Sequence, residues 1–306
     1  MKYIDPPISG DPSIIAQNIE RLNVNIHCCR YWWLNRWKHK NLSFPFWRLY
    51  WNANEGAYIF LKDKIYLTPD KIIIIPPFTP FSTDLNMTPE NEDYGLEGGW
   101  IKSKEIRDKS ISDGNVLHFY LHFNLGYPFD NTRKSIYTIS PSSEDIATIE
   151  QIIQTLIRGT SRFTLTESII INKLIYSTLA KLPGDIWEEE AIDSRIFEVI
   201  KYMNRNLGST VMNQKLASLI GMAANSFARF FRLQTGYSPN RYLTKIRIEN
   251  ACHLLLHTNL SLKQIAEDCG FFDRYYFTRV FNKSMNISPA KYRKEYSLKK
   301  APYVIK

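Results

Sequence analysis

Between Leu216 and Tyr292 a short pattern is written twice, and this constrains the fold more than any other feature. Leu216, Ala217 and Gly221 answer to Ile265, Ala266 and Gly270 at an offset of 49 residues. After one extra residue, Phe227, Arg229, Phe231, Pro239 and Tyr242 answer to Phe277, Arg279, Phe281, Pro289 and Tyr292 at an offset of 50. An internal repeat built from one supersecondary unit implies two copies of that unit. Each copy reads as a short helix, a glycine turn and a longer helix, which is a helix-turn-helix. Ala217 and Ala266 are small where the two helices must approach. Gly221 and Gly270 fall at the turn, where a left-handed backbone is easiest without a β-carbon. Phe227 and Phe231, and Phe277 and Phe281, lie four apart and share one helix face, the one that must be buried.

The charge distribution points to a polyanionic partner. The chain carries +9 overall, but residues 194–306 hold 19 Lys and Arg against 6 Asp and Glu, whereas residues 1–193 hold 20 against 24. A basic module beside a slightly acidic one fits a nucleic-acid reader joined to something else. With 306 residues, 44% of them hydrophobic, there is room for two packed domains. The four cysteines, Cys28, Cys29, Cys252 and Cys269, form no C-x-x-C spacing, and Cys252 and Cys269 stand at apolar helical positions as buried thiols. The N-terminal MKYIDPPISGDPS is polar rather than a leader, and no apolar run reaches membrane-spanning length. These features place the chain in a reducing cytosol, cytoplasmic and with no membrane partner.

Residues 1–25 read as an irregular arm, with a short helix possible at Pro12–Leu22. From Ile26 to Ile139 the texture is strand and turn, with runs at Phe46–Trp51, Ala57–Leu61, Lys71–Ile75, Val116–Phe123 and Ser135–Ile139. The acidic Met87–Gly99 stretch, with adjacent glycines, reads as a surface loop. After Pro141 the period becomes helical. Ser142–Ser143 before Glu144–Asp145 starts a helix that ends near Arg158, and a second covers about Thr166 to Leu182. Pro183–Asp193 is the linker candidate, and Ser194 can cap the first helix of the basic half. A longer helix at about Pro239–His257 joins the two repeats. The expected fold class is α+β in two domains: a β-barrel with two following helices, then an all-α domain with two helix-turn-helix motifs. The boundaries are 1–182 regulatory, 183–193 linker, 194–296 DNA-binding and 297–306 a basic tail.

In a helix-turn-helix the second helix lies in the major groove. Opposite the phenylalanine face, the first such helix presents Asn225, Ala228, Arg229 and Arg232. The second presents Arg274, Tyr275, Thr278 and Arg279, with Tyr276 at the margin. Arginine can bond two acceptors on guanine and asparagine can bond adenine bidentately; Ala228 offers only an apolar contact. A linking helix of roughly 17 residues is about 25 Å long, which with the helix diameters brings the two readers near the ~34 Å of one DNA turn. Double-stranded DNA, met in two successive major grooves, is the expected partner.

With these residues in view, residues 194–296 resemble the DNA-binding domain of the AraC/XylS family of transcription regulators. The match in the second repeat is Gly270, Phe271, Phe277, Phe281, Ser288, Pro289, Tyr292 and Arg293. Asn282 departs from the family's usual Lys, and Asn286 from its usual Gly, although asparagine tolerates the left-handed backbone that glycine serves. The resemblance implies that Asn225, Ala228, Arg229, Arg274, Tyr275, Tyr276, Thr278 and Arg279 face DNA. More weakly, residues from about 30 to 182, through FWRLYWNANEGAYI and IIIIPPFTPF, resemble a cupin-like regulatory half. In the family such a half often binds a small molecule and pairs two subunits, and most members activate, which implies a homodimer that contacts RNA polymerase.

Alternation assigns Arg48, Tyr50, His118, Tyr120 and His122 to polar strand faces opposite the apolar Trp47, Leu49 and Trp51. With the polar face inward, the lining would suit a sugar or similar polyol; with the reverse orientation, the pocket would be Trp-lined. The inward arrangement is the one adopted here. A metal-dependent cupin enzyme is the rival reading. It needs two histidines separated by one residue with a nearby glutamate, whereas His118 and His122 are four apart and His253 and His257 fall in the other half. No catalytic residue, metal ligand or cofactor is therefore assigned. A regulator without a small-molecule effector is the other alternative. In the second helix, Ile169–Ile171, Leu174, Ile175 and Leu179 either cover the barrel or pair with a second copy.

Overall fold

The computed structural model describes residues 22, 24–86, 93–126, 128–159, 162–187, 193–209, 211–296 and 299–300. The expected N-terminal helix at Pro12–Leu22 lies outside them apart from Leu22. The N-terminal half is a curled antiparallel sheet. Its main path begins with β1 (Asn25–Leu42), β2 (Trp47–Asn52), β3 (Ala57–Phe60), β4 (Lys64–Leu67), β5 (Ile72–Ile75) and β6 (Phe81–Leu85). It is completed by β7 (Gly95–Trp100), β8 (Val116–Asn124) and β9 (Tyr137–Ile139). The strand order is β4-β3-β6-β1-β8-β2-β5-β9, with β7 also on β1.

β1 was not legible as one 18-residue strand. Its Cys28–Cys29 and Trp33–Leu34 pairs are buried on both faces, so alternation is lost. It serves three partners in turn: β8 along Asn25–Leu34, β7 along Trp32–Lys38 and β6 along His39–Leu42, with one register shift inside each ladder. The Met87–Gly99 loop needs correction as well, because Gly95–Gly99 belongs to strand β7. Its glycines are packing devices: a β-carbon at Gly98 would lie 2.1 Å from the Trp33 carbonyl oxygen, and one at Gly99 2.7 Å from the Trp33 ring. Helix α1 (Lys104–Ser112) was also missed. It is mostly exposed and polar, with only Ser110 buried, and it is started by the Ser103 side chain accepting from Ile106 N.

Helices α2 (Ser143–Ile157) and α3 (Leu165–Leu179) form where the period changes, each opened by a reciprocal capping box, Ser142 with Asp145 and Thr164 with Glu167. They cover one face of the sheet, where Trp47, Leu49, Trp51, Leu117, Phe119 and Leu121 meet Ile149, Ile152, Leu174 and Ile175. The first part of the linker candidate is folded: Gly184–Ile186 is a 3₁₀ turn, Ile186 is fully buried and Trp187 bridges Thr132.

The C-terminal half contains α4 (Ser194–Arg205), α5 (Asn213–Leu219), α6 (Ala224–Thr235), α7 (Pro239–His257), α8 (Leu262–Asp268), α9 (Arg274–Met285) and α10 (Pro289–Tyr296). Asp193, not Ser194, caps α4, because its carboxylate reaches the Arg195 amide. Part of the expected tail is structured too: Lys299–Lys300 (β10) pairs in parallel with β7.

Two cores divide this half. Ile196, Val199, Leu216, Ala217, Phe227, Phe231, Tyr242 and Ile246 form one, around the first unit. In the other, Ala251, Cys252, Leu255, Ile265, Ala266, Phe277, Phe281 and Tyr292 of the second unit continue without a break into Cys28, Leu34, Phe44, Phe46 and Tyr50 on the concave face of the sheet. The barrel therefore rests on the second helix-turn-helix. A cleft of about 1320 Å³ separates it from α4, α6 and the first part of α7.

Candidate nucleic-acid interface and effector pocket

The repeat is reproduced residue for residue by the folded elements. Helices α5 and α8 start and stop 49 residues apart, and α6 and α9, like the starts of α7 and α10, are 50 apart. Gly221 and Gly270 both adopt positive φ, at 65° and 73°. Helix α6 ends on a left-handed Gly236, and its equivalent in α9 is Asn286, also left-handed at φ 56°, as asparagine's tolerance predicts. The phenylalanine pairs are fully buried. That fixes the opposite faces outward.

On α6, Asn225, Arg229 and Arg232 are exposed and Ala228 is half-buried. On α9, Arg274, Tyr275, Tyr276 and Arg279 are exposed and Thr278 is half-buried, its hydroxyl donating back to the Arg274 carbonyl. Arg279 lies 5.4 Å from the Tyr276 ring and Arg274 5.3 Å from the Tyr275 ring, so both guanidiniums sit over aromatic faces on exposed side chains. The two readers are started differently. Asp273 caps α9, accepting from the Tyr275 and Tyr276 amides, whereas Ala223 leaves α6 with no side-chain cap. The first-turn amides of α6 remain free to meet an anion.

One surface residue escaped sequence reasoning. Phe272, at the start of the second reader, is 95% exposed beside Tyr275, Tyr276 and Arg279. Its signal was present: Phe271 already fills the core position, leaving a second consecutive aromatic with no apolar place to go.

The five residues expected to bind an effector are also brought together. Arg48, Tyr50, His118, Tyr120 and His122 line one cavity of about 80 Å³ on the concave side of the sheet. Arg48 Nη1 donates to the Tyr50 hydroxyl at 2.9 Å, and its guanidinium lies 3.4 Å from the centre of the Phe44 ring. His118 Nδ1 is 2.7 Å from Asn52 Oδ1. Burial holds the His118 pKa down, to about 3, with the nearby Arg48 charge adding to the effect. Burial also lowers the Arg48 pKa and raises that of Tyr50. Among the described residues no carboxylate is paired with Arg48, whose Nε is buried without a partner. The reverse face, with Trp47, Leu49 and Trp51, packs against α2 and α3, so neither face of these strands meets solvent.

Three lining residues come from the other half: Leu256 and His257 on α7, and Tyr296 on α10. His253 and His257 fall in the other half, as their positions along the chain imply, yet the fold brings them against the barrel. His257 Nε2 stands 3.2 Å from His122 Nδ1, and His253 stacks on His27 at 4.4 Å. Spacing along the chain could not have shown this, because 135 residues separate His122 from His257.

Among the described residues no helix is long and apolar enough to cross a membrane. A helix-turn-helix domain model matches residues 216–295. The chain is similar to an uncharacterized HTH-type transcriptional regulator, YijO, of Escherichia coli, with 30% identity over 132 residues that cover 43% of this chain and 46% of the relative. It is also similar to the lactose operon transcription activator of Staphylococcus xylosus, with 24% identity over 164 residues, 52% of this chain and 59% of the relative. Among solved structures, ToxT of Vibrio cholerae aligns over 87% of this chain and 96% of its own, at 15% identity and a TM-score of 0.47. The chain spans about half the length of the curated relatives it matches. The paired units, their offsets and these relatives identify the C-terminal half as an AraC-type double helix-turn-helix domain, of the AraC/XylS family.

Proposed function

We propose that the chain is a transcription regulator that reads DNA with α6 and α9 in two successive major grooves and answers to a small molecule held in the barrel. One observation carries the reading. Arg229 and Arg279 occupy the same outward place on two units of the same construction, each 50 residues from the other and each exposed. Helix α7, at 19 residues, is about 28 Å long, and so keeps the readers close to one helical turn of DNA apart. Asn225 and Arg232 join Arg229 on the first reader; Arg274, Tyr275, Tyr276 and Thr278 join Arg279 on the second.

The effector is a sugar or similar polyol, presenting an acceptor oxygen to Arg48; the relative that activates a lactose operon supports a sugar and an activating role. A cavity of about 80 Å³ is well below the roughly 300–1,000 Å³ of ordinary ligand sites. Entry therefore requires Leu256, His257 and Tyr296 to withdraw, which moves the second reader relative to the barrel. This supplies the differential affinity that a population shift demands. The regulator works as a homodimer in the cytoplasm and contacts RNA polymerase. Leu165, Ile169 and Tyr176, an exposed apolar stripe on α3, supply the dimer surface.

The test is selection of bound duplexes from a random DNA library, followed by footprinting and binding of variants. Arg229→Ala and Arg279→Ala should each weaken binding to the selected site by about 1–3 kcal/mol and relax selectivity at one base pair. Protection of a single groove, or unchanged affinity in both variants, would overturn the assignment. Repeating the melting curve with a panel of sugars tests the effector: no shift with any of them sinks that part alone.

A further inference from the structure

The fold gathers three metal-ligating side chains, two of which, His122 and His257, also border the effector cavity. Cys28 on β1, His122 on β8 and His257 on α7 place one donor atom each within 4.8 Å of one another. Cys28 and His122 are buried and His257 nearly so. The His122–His257 nitrogen separation is 3.2 Å. Two nitrogens ~2.05 Å from one tetrahedral zinc ion stand ~3.3 Å apart, so this pair already has the spacing of two ligands on one ion. The sulfur must close by no more than roughly 1.3 Å to reach the ~3.5 Å expected of a thiolate on the same ion.

A second, independent observation is the state of the rings. His122 Nε2 is buried with no hydrogen-bond partner, as is Nδ1 of the neighbouring His253. A buried orphan of this kind costs about 1–3 kcal/mol. The ion would be held by His122 Nδ1, the nitrogen that already faces His257, which leaves the ring proton on the orphan Nε2. Burial, more than any neighbouring charge, keeps His122 and His257 neutral, which is the ligating form. Burial also pushes the Cys28 thiol up to about 12, so its proton must leave to bulk solvent when the sulfur coordinates.

We propose that Cys28, His122 and His257 form a site for a zinc-class divalent ion that joins the barrel to the helix linking the two DNA readers. A mixed sulfur and imidazole set selects zinc or a neighbouring transition metal rather than magnesium or calcium. Three protein ligands leave a fourth position for water, and His122 and His257 both border the cavity that would hold it. His253 lies 5.3 Å from the His257 ring and 4.4 Å from that of His27, which borders the open cleft. Arg30 and Arg48 act on Cys28 and His257, and Arg48 on His122. They favour the thiolate but repel the ion, which sets the affinity below that of a closed four-ligand structural site.

The test uses the full chain, stripped by a chelator and titrated with Co²⁺ and then Zn²⁺. The expected result is one equivalent of Co²⁺ giving tetrahedral visible bands and a thiolate-to-cobalt charge-transfer band, both abolished by Zn²⁺. Cys28→Ser should lose the charge-transfer band. His257→Gln should weaken binding at least tenfold, and His39→Gln, outside the cluster, should bind as the unaltered chain does. Zn²⁺ should also raise the melting temperature of the unaltered chain, a readout that needs no variant. Absence of stoichiometric uptake with no Zn²⁺-dependent shift in melting, or unchanged binding in folded Cys28→Ser and His257→Gln, overturns the proposal. Either result stands apart from DNA binding, which is measured separately.

Discussion

Replacing each turn glycine by alanine should have unequal consequences, although the two positions are equivalent in the repeat. Both glycines sit at positive φ, where a β-carbon costs roughly 1–2 kcal/mol, partly offset by about 0.4–1 kcal/mol from a stiffer unfolded chain. At Gly221 nothing lies within 4 Å of the added carbon, so Gly221→Ala should cost about 1 kcal/mol in all. At Gly270 the same carbon would lie 2.3 Å from the Leu207 carbonyl oxygen and 2.6 Å from Arg247 Nη2. Arg247 is not free to retreat: its Nε donates to the Leu207 carbonyl at 2.9 Å and its Nη2 to the Ser209 carbonyl at 2.7 Å. These bonds tie the segment between α4 and α5 to the linking helix α7, beside the turn of the second unit. Displacing the side chain forfeits both, at about 1 kcal/mol each after discounting for its half-exposed position. Gly270→Ala should therefore cost about 3–4 kcal/mol. Urea unfolding of the two variants beside the unaltered chain measures the difference, and Arg247→Ala should relieve only the side-chain part of the Gly270 cost, because the Leu207 carbonyl contact remains. Losses equal within about 0.5 kcal/mol would show that the Leu207 carbonyl and Arg247 do not crowd this turn, and the packing argument would fail.

Asp145 accepts from the Ser142 amide and hydroxyl, the Ser177 hydroxyl and the Lys181 ammonium. Burial alone would raise its pKa, but these donors hold it well below the carboxylate range; Asp145→Asn should lose about 2 kcal/mol, measured by urea unfolding at neutral pH. Because the folded pKa is depressed, this contribution is complete above pH ~4 and is lost as pH falls below it, so the variant and the unaltered chain should converge in acid. His118, pushed down to about 3 by burial, stays neutral in the folded chain while the unfolded chain protonates near 6.5. Its contribution is therefore complete above pH ~6.5 and falls by up to about 1.4 kcal/mol per pH unit toward 3; His118→Gln should flatten the stability–pH curve over that window. Ile169, 59% exposed on α3, should yield a monomeric mass by light scattering when changed to Asp, with the melting temperature of the domain little altered. A dimer unaffected by Ile169→Asp would place the subunit contact elsewhere.

The repeat alone determined the DNA-binding half. Its offsets gave the helix positions, the turn glycines and the buried phenylalanine pairs, because local periodicity and turn chemistry are written in neighbouring residues. It also gave the outward residues, since the face opposite a buried one is fixed once the helix is. The alternation of Arg48 with Tyr50, and of His118 with Tyr120 and His122, likewise placed these side chains on common strand faces. Other elements were hidden for physical reasons. β1 is covered on both sides and shows no period, α1 buries too little to show one, and the glycines of β7 answer to the Trp33 backbone and ring rather than to a turn. Only the tertiary structure decided which unit the barrel leans on, and that Leu256, His257 and Tyr296 close the cavity. Only it could bring Cys28 and His122 to His257, because a contact between residues more than a hundred positions apart depends on how whole layers pack and leaves no mark in the spacing of either segment.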